Sequence, residues 1–261
     1  MERGSSWKTS GHHVKIRGTR TSQRQRGLTV QCCTFSSTTS LEEEVELDGK
    51  NGLDENHENG MGLFGNLVTE YGWQVRRMIE KDAEMRKVAQ VQAEAFHEPV
   101  IFFNDLFFQF FQAEVLSGLF YRLRNSPPDR YACLVAEPAS GSPQEPRQEL
   151  VGVVDVTVLR DEAVLQHLLG VNEYLYVSGI AVLNNFRRQK VASALLKGCD
   201  VLSVRWGYHY LALRAYEDDW GARKLYTNAG YRIVSGDPPW MTTWIGRRRR
   251  IVMIKRSNLG E

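Results

Sequence analysis

Nowhere does the chain hold an apolar run of about 18 residues, the length a helix needs to cross a bilayer. The best candidates are broken by Asn104, Asp105 and Gln109. A spanning helix is excluded, and no membrane insertion is expected. Cysteine is scarce too: of four, Cys32 and Cys33 are adjacent, while Cys133 and Cys199 lie far apart with no CxxC and no histidine at metal-ligand spacing. That excludes a sequence-legible zinc or dithiol site, so no metal is expected and Cys133 and Cys199 read as buried thiols. Between Glu2 and Glu42 there is no acidic residue at all.

What fills that acid-free stretch is Arg3, Lys8, Lys15, Arg17, Arg20, Arg24 and Arg26 among many Ser, Thr, Gly and Gln, without the apolar segment of a secretory signal. This is the composition of an organelle transit peptide, and Val30-Gln31-Cys32-Cys33 resembles a plastid processing site, so residues 1–32 are assigned to a chloroplast (stromal) address. The alternative, a basic arm for nucleic acid, is weakened by charge. Cleavage after Cys32 removes seven positive charges and one negative, taking the formal charge from +2 to −4. No nucleic-acid partner is expected. Residues 33–70, with Glu42, Glu43, Glu44, Glu46, Asp48, Asp54, Glu55 and Glu58, read as a disordered acidic linker.

The remaining residues, 42% hydrophobic and 25% charged over the whole chain, suffice for one good core. Periodicity predicts strands at Trp73–Met78, Arg130–Glu137, Leu150–Leu159, Tyr174–Val182, Tyr210–Ala215, Tyr231–Ser235 and Ile251–Lys255. Helices are predicted at Asp82–Phe96, from Asn104 or Asp105 to Asn125, at Lys190–Trp206 and at Asp219–Ala229. In the first helix Met85, Val88, Val91, Ala93 and Ala95 form the apolar face; in the second, Phe107, Phe111, Val115 and Leu119 form a ridge. The long helix after Lys190 should bury Val191, Ala194, Leu195, Val201 and Leu202. Pro138–Gln148 reads as a polar loop.

One stretch carries chemistry. The apolar strand ending Ile180-Ala181-Val182 leads through Phe186-Arg187-Arg188-Gln189-Lys190 directly into the helix that opens Val191-Ala192-Ser193. A helix start exposes unpaired N–H groups and the positive end of the helix dipole, and three cations surround it, so a pyrophosphate fits there.

With that turn in place, residues 71–256 resemble the GCN5-related N-acetyltransferase (GNAT) family, and in particular its plant plastid members that acetylate both α-amines and lysines. Tyr176–Val182 is similar to the family's central strand, and Arg187–Ala192 to its [Q/R]-x-x-G-x-[G/A] turn. Asp219-Trp220-Gly221-Ala222-Arg223-Lys224-Leu225-Tyr226-Thr227-Asn228-Ala229-Gly230-Tyr231 is similar to its N-x-x-A-x-x-L-Y-x-x-x-G-[FY] segment. The resemblance implies an α+β fold, a mixed sheet of about seven strands flanked by about four helices, with 257–261 as a tail. It implies acetyl-CoA as co-substrate and amines, namely protein N-termini and lysine side chains, as acceptors.

It also implies roles. Backbone groups of Ile180, Ala181 and Val182 would hold the thioester and pantetheine; Arg187, Arg188, Gln189, Lys190, Val191, Ala192 and Ser193 would hold the pyrophosphate. Asp219, Trp220 and Gly221 would pass along the far side of the CoA, and Tyr226 would be the acid for the departing thiolate. Lys190 departs from the family's usual glycine; as the first turn of a helix, the site should have an ordinary φ that lysine accepts.

The general base stays open among Glu173, expected to be solvated, a water near Tyr176 and Ser178, and Glu217 or Asp218. Arg247–Arg250 reads as a hairpin turn entering the last strand rather than a nucleic-acid patch. His97–Asp105 and the insertion Ser235–Gly246, with Trp240 and Trp244, are expected to border the acceptor entrance. A small-molecule amine acetyltransferase, or a non-catalytic acyl-CoA-binding module, are the competing readings.

Overall fold

In the strand Tyr131–Pro138 successive side chains enter two different cores: Ala132, Leu134 and Ala136 join one cluster, Tyr131, Cys133 and Val135 another. The two-residue period of a strand buried on both faces produces this division. The computed structural model describes residues 65–96, 104–139, 149–240 and 248–257. The expected transit peptide, most of the acidic linker and of the polar loop, His97–Phe103, Trp244 and Arg247 lie outside these residues.

The described elements are β1 (Val68–Glu70), β2 (Trp73–Arg77), α1 (Asp82–Phe96), α2 (Asn104–Asn125), β3 (Tyr131–Pro138), β4 (Gly152–Leu159) and α3 (Glu162–Leu165). They continue with β5 (Tyr174–Val182), a 3-10 turn (Asn184–Phe186), α4 (Val191–Trp206), β6 (Tyr210–Tyr216), α5 (Trp220–Asn228), β7 (Arg232–Gly236) and β8 (Arg250–Arg256). Three of them were not expected from sequence: β1, which takes the last three positions of the acidic linker, the single turn α3, and the 3-10 turn. The eight strands form one sheet in the order β1-β2-β3-β4-β5-β6-β8-β7. Only the β5–β6 pair is parallel; the others are antiparallel.

Three helical coverings follow from the pattern. On one face α4 and α5 pack through Val191, Ala194, Leu195, Leu196, Cys199, Leu202, Ala222 and Tyr226. Of the expected α4 face only Val201 is half-buried rather than buried. On the opposite face α1 and α2 cover the β2–β5 half through Met85, Val88, Val91, Ala95 and Leu119, while Val164 of α3 covers the β5–β8 half. Leu119, Leu134, Leu195, Leu211 and Leu213 are wholly buried, each worth roughly 1.5–3 kcal/mol relative to exposure. Cys133 and Cys199 are free and buried, as expected.

Helix ends are set locally. Asp161 and Asp219 cap α3 and α5 by accepting from the Ala163 and Ala222 amides. Gly207, at φ 74°, ends α4 in the left-handed conformation that glycine tolerates. A buried ion triad ties α1 to the sheet: the Arg76 guanidinium reaches Glu84 at 2.6 Å and Glu137 at 3.0 Å. Glu137 meets the guanidinium fork through both oxygens, and Glu84 accepts from Arg76 and the Ile79 amide, which offsets the desolvation of three charges. No described helix is long and apolar enough to cross a membrane.

Candidate active site

The parallel pair at the centre of the sheet is joined at only two positions, Leu175 with Leu211 and Tyr176 with Ala212. Beyond Tyr176, β5 continues to Val182 bonded to β4, and β6 continues to Tyr216 bonded to β8. The facing edges therefore diverge into a wedge, along which main-chain groups of Ile180–Val182 have no ladder partner on the β6 side. Such groups require a partner, and an extended ligand carrying amides supplies one.

A bulge produces the divergence. Val153 faces Ala181 and Asp155 faces Ser178, so Val154 of β4 opposes two residues of β5, Gly179 and Ile180. Gly179 sits at φ 60°. The bulge bends the strand and re-aims its backbone. Beneath it lies Asp155, only 4% exposed, accepting from the Tyr131 hydroxyl at 2.6 Å and the Gln92 amide at 2.9 Å. Arg122 approaches the same carboxylate at 3.5 Å. Burial, and then the Asp155 charge, push the Tyr131 phenol and the Cys133 thiol well above their ordinary pKa values. Both stay neutral. Sequence reading did not single out this group; the available signal was a lone aspartate in the apolar strand Gly152-Val-Val-Asp-Val-Thr-Val-Leu159.

Past Val182 the chain makes its basic turn. Arg187 is half-buried and donates back to the Val182 carbonyl at 3.3 Å; burial lowers its pKa. Gln189 donates to the Asn185 carbonyl at 2.9 Å, and its own carbonyl accepts from the Trp73 indole at 2.7 Å. Arg188 and Lys190 both adopt positive φ, 65° and 70°. The expectation of an ordinary φ at Lys190 is thus overturned: the residue lies just before the helix rather than inside its first turn, in the left-handed region where the family's usual glycine is unstrained. Its side chain supplies no cap. The amides of Val191, Ala192 and Ser193 consequently open α4 as N–H groups with no intrahelical acceptor.

The other wall comes from α5. Asp219 is 8% exposed and turned inward onto the Ala222 amide, so its carboxylate serves as a cap. Trp220, by contrast, stands out at 74% exposure with the Arg223 guanidinium 4.7 Å from its ring centroid. Gly221 is half-buried beside it. Tyr226 is 1% exposed, edge-on to Tyr231, and shares one apolar cluster with Ile180, Leu213 and Ala215. Because β5 and β6 run parallel, the starts of α4 and α5 follow the same ends of the two strands. The topology therefore gathers Ile180–Val182, the turn, the α4 start and Asp219–Tyr226 around one wedge.

The carboxylates considered as bases are paired instead. Glu173 is partly exposed, as expected, but paired: Arg130 and Arg160 both donate to it and hold its pKa below the usual carboxylate range. Asp218 meets Arg248 at 2.8 Å, and hydrogen bonding to that guanidinium lowers its pKa; Glu217 meets Arg249 at 2.6 Å. Arg250 opens β8 and reaches Asp237, so the described arginines of 247–250 enter the last strand, as expected, with carboxylates beside them. Tyr176 and Ser178 remain half-buried on β5. Of the expected acceptor border, residues 104, 105 and 235–240 are described, and Trp240 among them is 56% exposed. Among the described residues no group of three His, Cys, Asp or Glu forms a metal site.

Residues 101–231 match the Acetyltransferase (GNAT) family. GCN5-related N-acetyltransferase 10, chloroplastic, of Arabidopsis thaliana is 59% identical over 191 residues, 73% of this chain and 75% of that protein. GCN5-related N-acetyltransferase 4, chloroplastic, of the same plant is 36% identical over 69 residues, 26% of this chain and 23% of its own. Among solved structures, a yellow fever mosquito protein assigned as arylalkylamine N-acetyltransferase 7 superposes with a TM-score of 0.51. That match covers 71% of this chain and 87% of the other at 14% identity, a likeness of fold alone. With half of its length matched by the family and most of it shared with a 59% identical relative, this chain belongs to the GNAT family of acetyltransferases.

Proposed function

We propose that this acetyltransferase works in the chloroplast stroma, moving acetyl from acetyl-CoA to N-terminal α-amines of proteins and to lysine ε-amines. The observation that carries the donor half is the wedge between β5 and β6, which opens directly beside the uncapped start of α4. A pantetheine arm has amides at the spacing of a strand and fits the unpaired edge of Ile180–Val182. Its pyrophosphate falls to the N–H groups at Arg188–Ser193, with Arg187, Arg188 and Lys190 supplying charge. Asp219–Gly221 flank the CoA on the α5 side, where Trp220 is exposed.

The reaction forms a C–N bond and breaks a C–S bond. An N–H of the bulged strand near Ile180 polarises the thioester oxygen. The amine attacks neutral, giving its proton to a water near Tyr176 and Ser178, since Glu173, Asp218 and Glu217 are each engaged with arginine. The thiolate leaves with a proton from the Tyr226 hydroxyl. Plastid location is supported by the basic residues 1–32, acid-free after Glu2, and by the chloroplastic relative.

The test is CoA release from acetyl-CoA and a mixture of peptides with free or blocked N-termini and lysines. Turnover on both amine types is expected. Turnover only with small amines would replace protein acceptors by metabolites, and binding of acetyl-CoA without turnover would make the protein a non-catalytic module.

A further inference from the structure

The N-terminal hairpin precedes residues 101–231, the part matched by the family, yet it touches the basic turn directly. Its strands β1 and β2 meet at Tyr71-Gly72, both at positive φ, a two-residue turn of the primed kind that suits the twist of a hairpin. From there five contacts run from the basic turn along α4. The Trp73 indole N–H donates to the Gln189 carbonyl at 2.7 Å, and its ring stands edge-on to Phe186 with centroids 5.9 Å apart. The Lys190 ammonium lies 5.7 Å from the Tyr71 ring centroid, within cation–π reach. Glu70 meets Lys197 at 3.2 Å. Gly198 lets Val75 in so closely that a Cβ there would stand 2.7 Å from it.

These contacts bear on a turn that is strained by its own residues. Arg188 and Lys190, on either side of Gln189, hold left-handed conformations that L-residues avoid. Such a conformation persists only where surrounding contacts impose it. The 3-10 turn before it and α4 after it fix the ends; at the middle the Gln189 side chain holds the Asn185 carbonyl within the turn, and the Trp73 bond ties the peptide between the two strained residues to the sheet. Released, Arg188 and Lys190 would relax toward negative φ, and the amides opening α4 would lose their common direction.

We infer that Trp73 is a positioning residue for acetyl transfer: its indole N–H holds the Gln189 carbonyl so that the strained turn presents the α4 amides to the pyrophosphate of the donor. This rests on the reading of that turn as the pyrophosphate site. Trp73 touches no reacting atom, and its effect is therefore on donor affinity rather than on the chemical step.

The experiment compares acetyl-CoA with S-acetylpantetheine, which carries the same thioester and lacks the pyrophosphate, on the full chain. Trp73→Phe keeps a ring against Phe186 and removes the donor; losing one such bond should raise KM for acetyl-CoA about fivefold, with kcat within twofold and S-acetylpantetheine kinetics unchanged. Equal losses on both donors, or a fall in kcat alone, would overturn the inference and leave Trp73 as core packing only. Arg188→Glu separates the two layers. If it raises KM for acetyl-CoA selectively while Trp73→Phe does not, the inference fails and the pyrophosphate reading stands; if Arg188→Glu changes neither donor, the reading fails and the inference with it. Should Trp73→Phe not fold, Tyr71→Asn substitutes: it suits the turn, removes the ring beside Lys190 at an exposed position, and should raise KM for acetyl-CoA about twofold. No change there would equally overturn the clamp.

Discussion

Asp155 occupies the space that a side chain at position 179 would need: a Cβ built on Gly179 would lie 3.0 Å from the Asp155 carboxylate oxygen and 3.3 Å from the Gln92 amide. The bulge that opens the central wedge is therefore locked by a buried acid on the neighbouring strand. Gly179→Ala must accept both the contact and φ 60°, and should lose about 2 kcal/mol of stability. Because it moves the backbone of Ile180, kcat/KM should fall at least about tenfold, a loss of the order expected when one oriented donor is misplaced. Denaturant unfolding and steady-state kinetics measure the two; full activity would mean that the bulge does not orient the reacting thioester.

Tyr226→Phe keeps the ring in its apolar cluster and removes only the hydroxyl. If that hydroxyl protonates the leaving thiolate, kcat should drop by about two orders of magnitude, with KM for acetyl-CoA within a factor of two and a stability loss of about 1 kcal/mol at most. An unchanged kcat would return Tyr226 to a packing role.

Lys190→Gly tests the strain in the turn. Glycine removes a left-handed penalty of about 1–2 kcal/mol and adds unfolded-state freedom worth about 0.4–1 kcal/mol. The variant should be more stable by up to about 1 kcal/mol, read from the urea midpoint at constant slope, with donor affinity altered modestly through the lost cation. A destabilised variant would show that the Tyr71 contact outweighs the backbone term.

Glu173→Gln probes the pairing that removed this residue from consideration as a base. Hydrogen bonds from Arg130 and then Arg160 hold its pKa below the unfolded value, which is about 4.3. The carboxylate therefore contributes stability above roughly pH 5, and this is lost as pH falls through the lowered folded pKa. Wild type should exceed the variant by less than about 1 kcal/mol at pH 7, since Arg160 is largely exposed, and the gap should close by about pH 3. Activity near neutrality should stay within twofold; a large loss of kcat would restore Glu173 as the base.

Much of the fold was legible because its causes are local. The 3.6-residue spacing of Met85, Val88, Val91 and Ala95 and the cap region at Asp82 gave α1 its observed ends, and the apolar run Tyr174–Val182 gave β5 its own. β1 escaped because three residues and a Tyr-Gly turn carry no Asn-Gly or Asp-Gly signal. α3 escaped because one turn shows no period.

Of the proposed site, the sequence by itself determined the elements that meet at the wedge: the strand Ile180–Val182, the basic turn, the start of α4 and the segment Asp219–Tyr231, since residue type and order along the chain suffice to write a strand, a helix start and a capped helix. Only the tertiary structure decided the left-handed backbone at Lys190, the pairing of Glu173, Glu217 and Asp218 with arginines, the Asp155 lock under Gly179, and the Trp73 clamp on Gln189. All but the first join residues apart in sequence, and the first is held by one of those that do; geometry and burial set their energy, and neither is written in local periodicity.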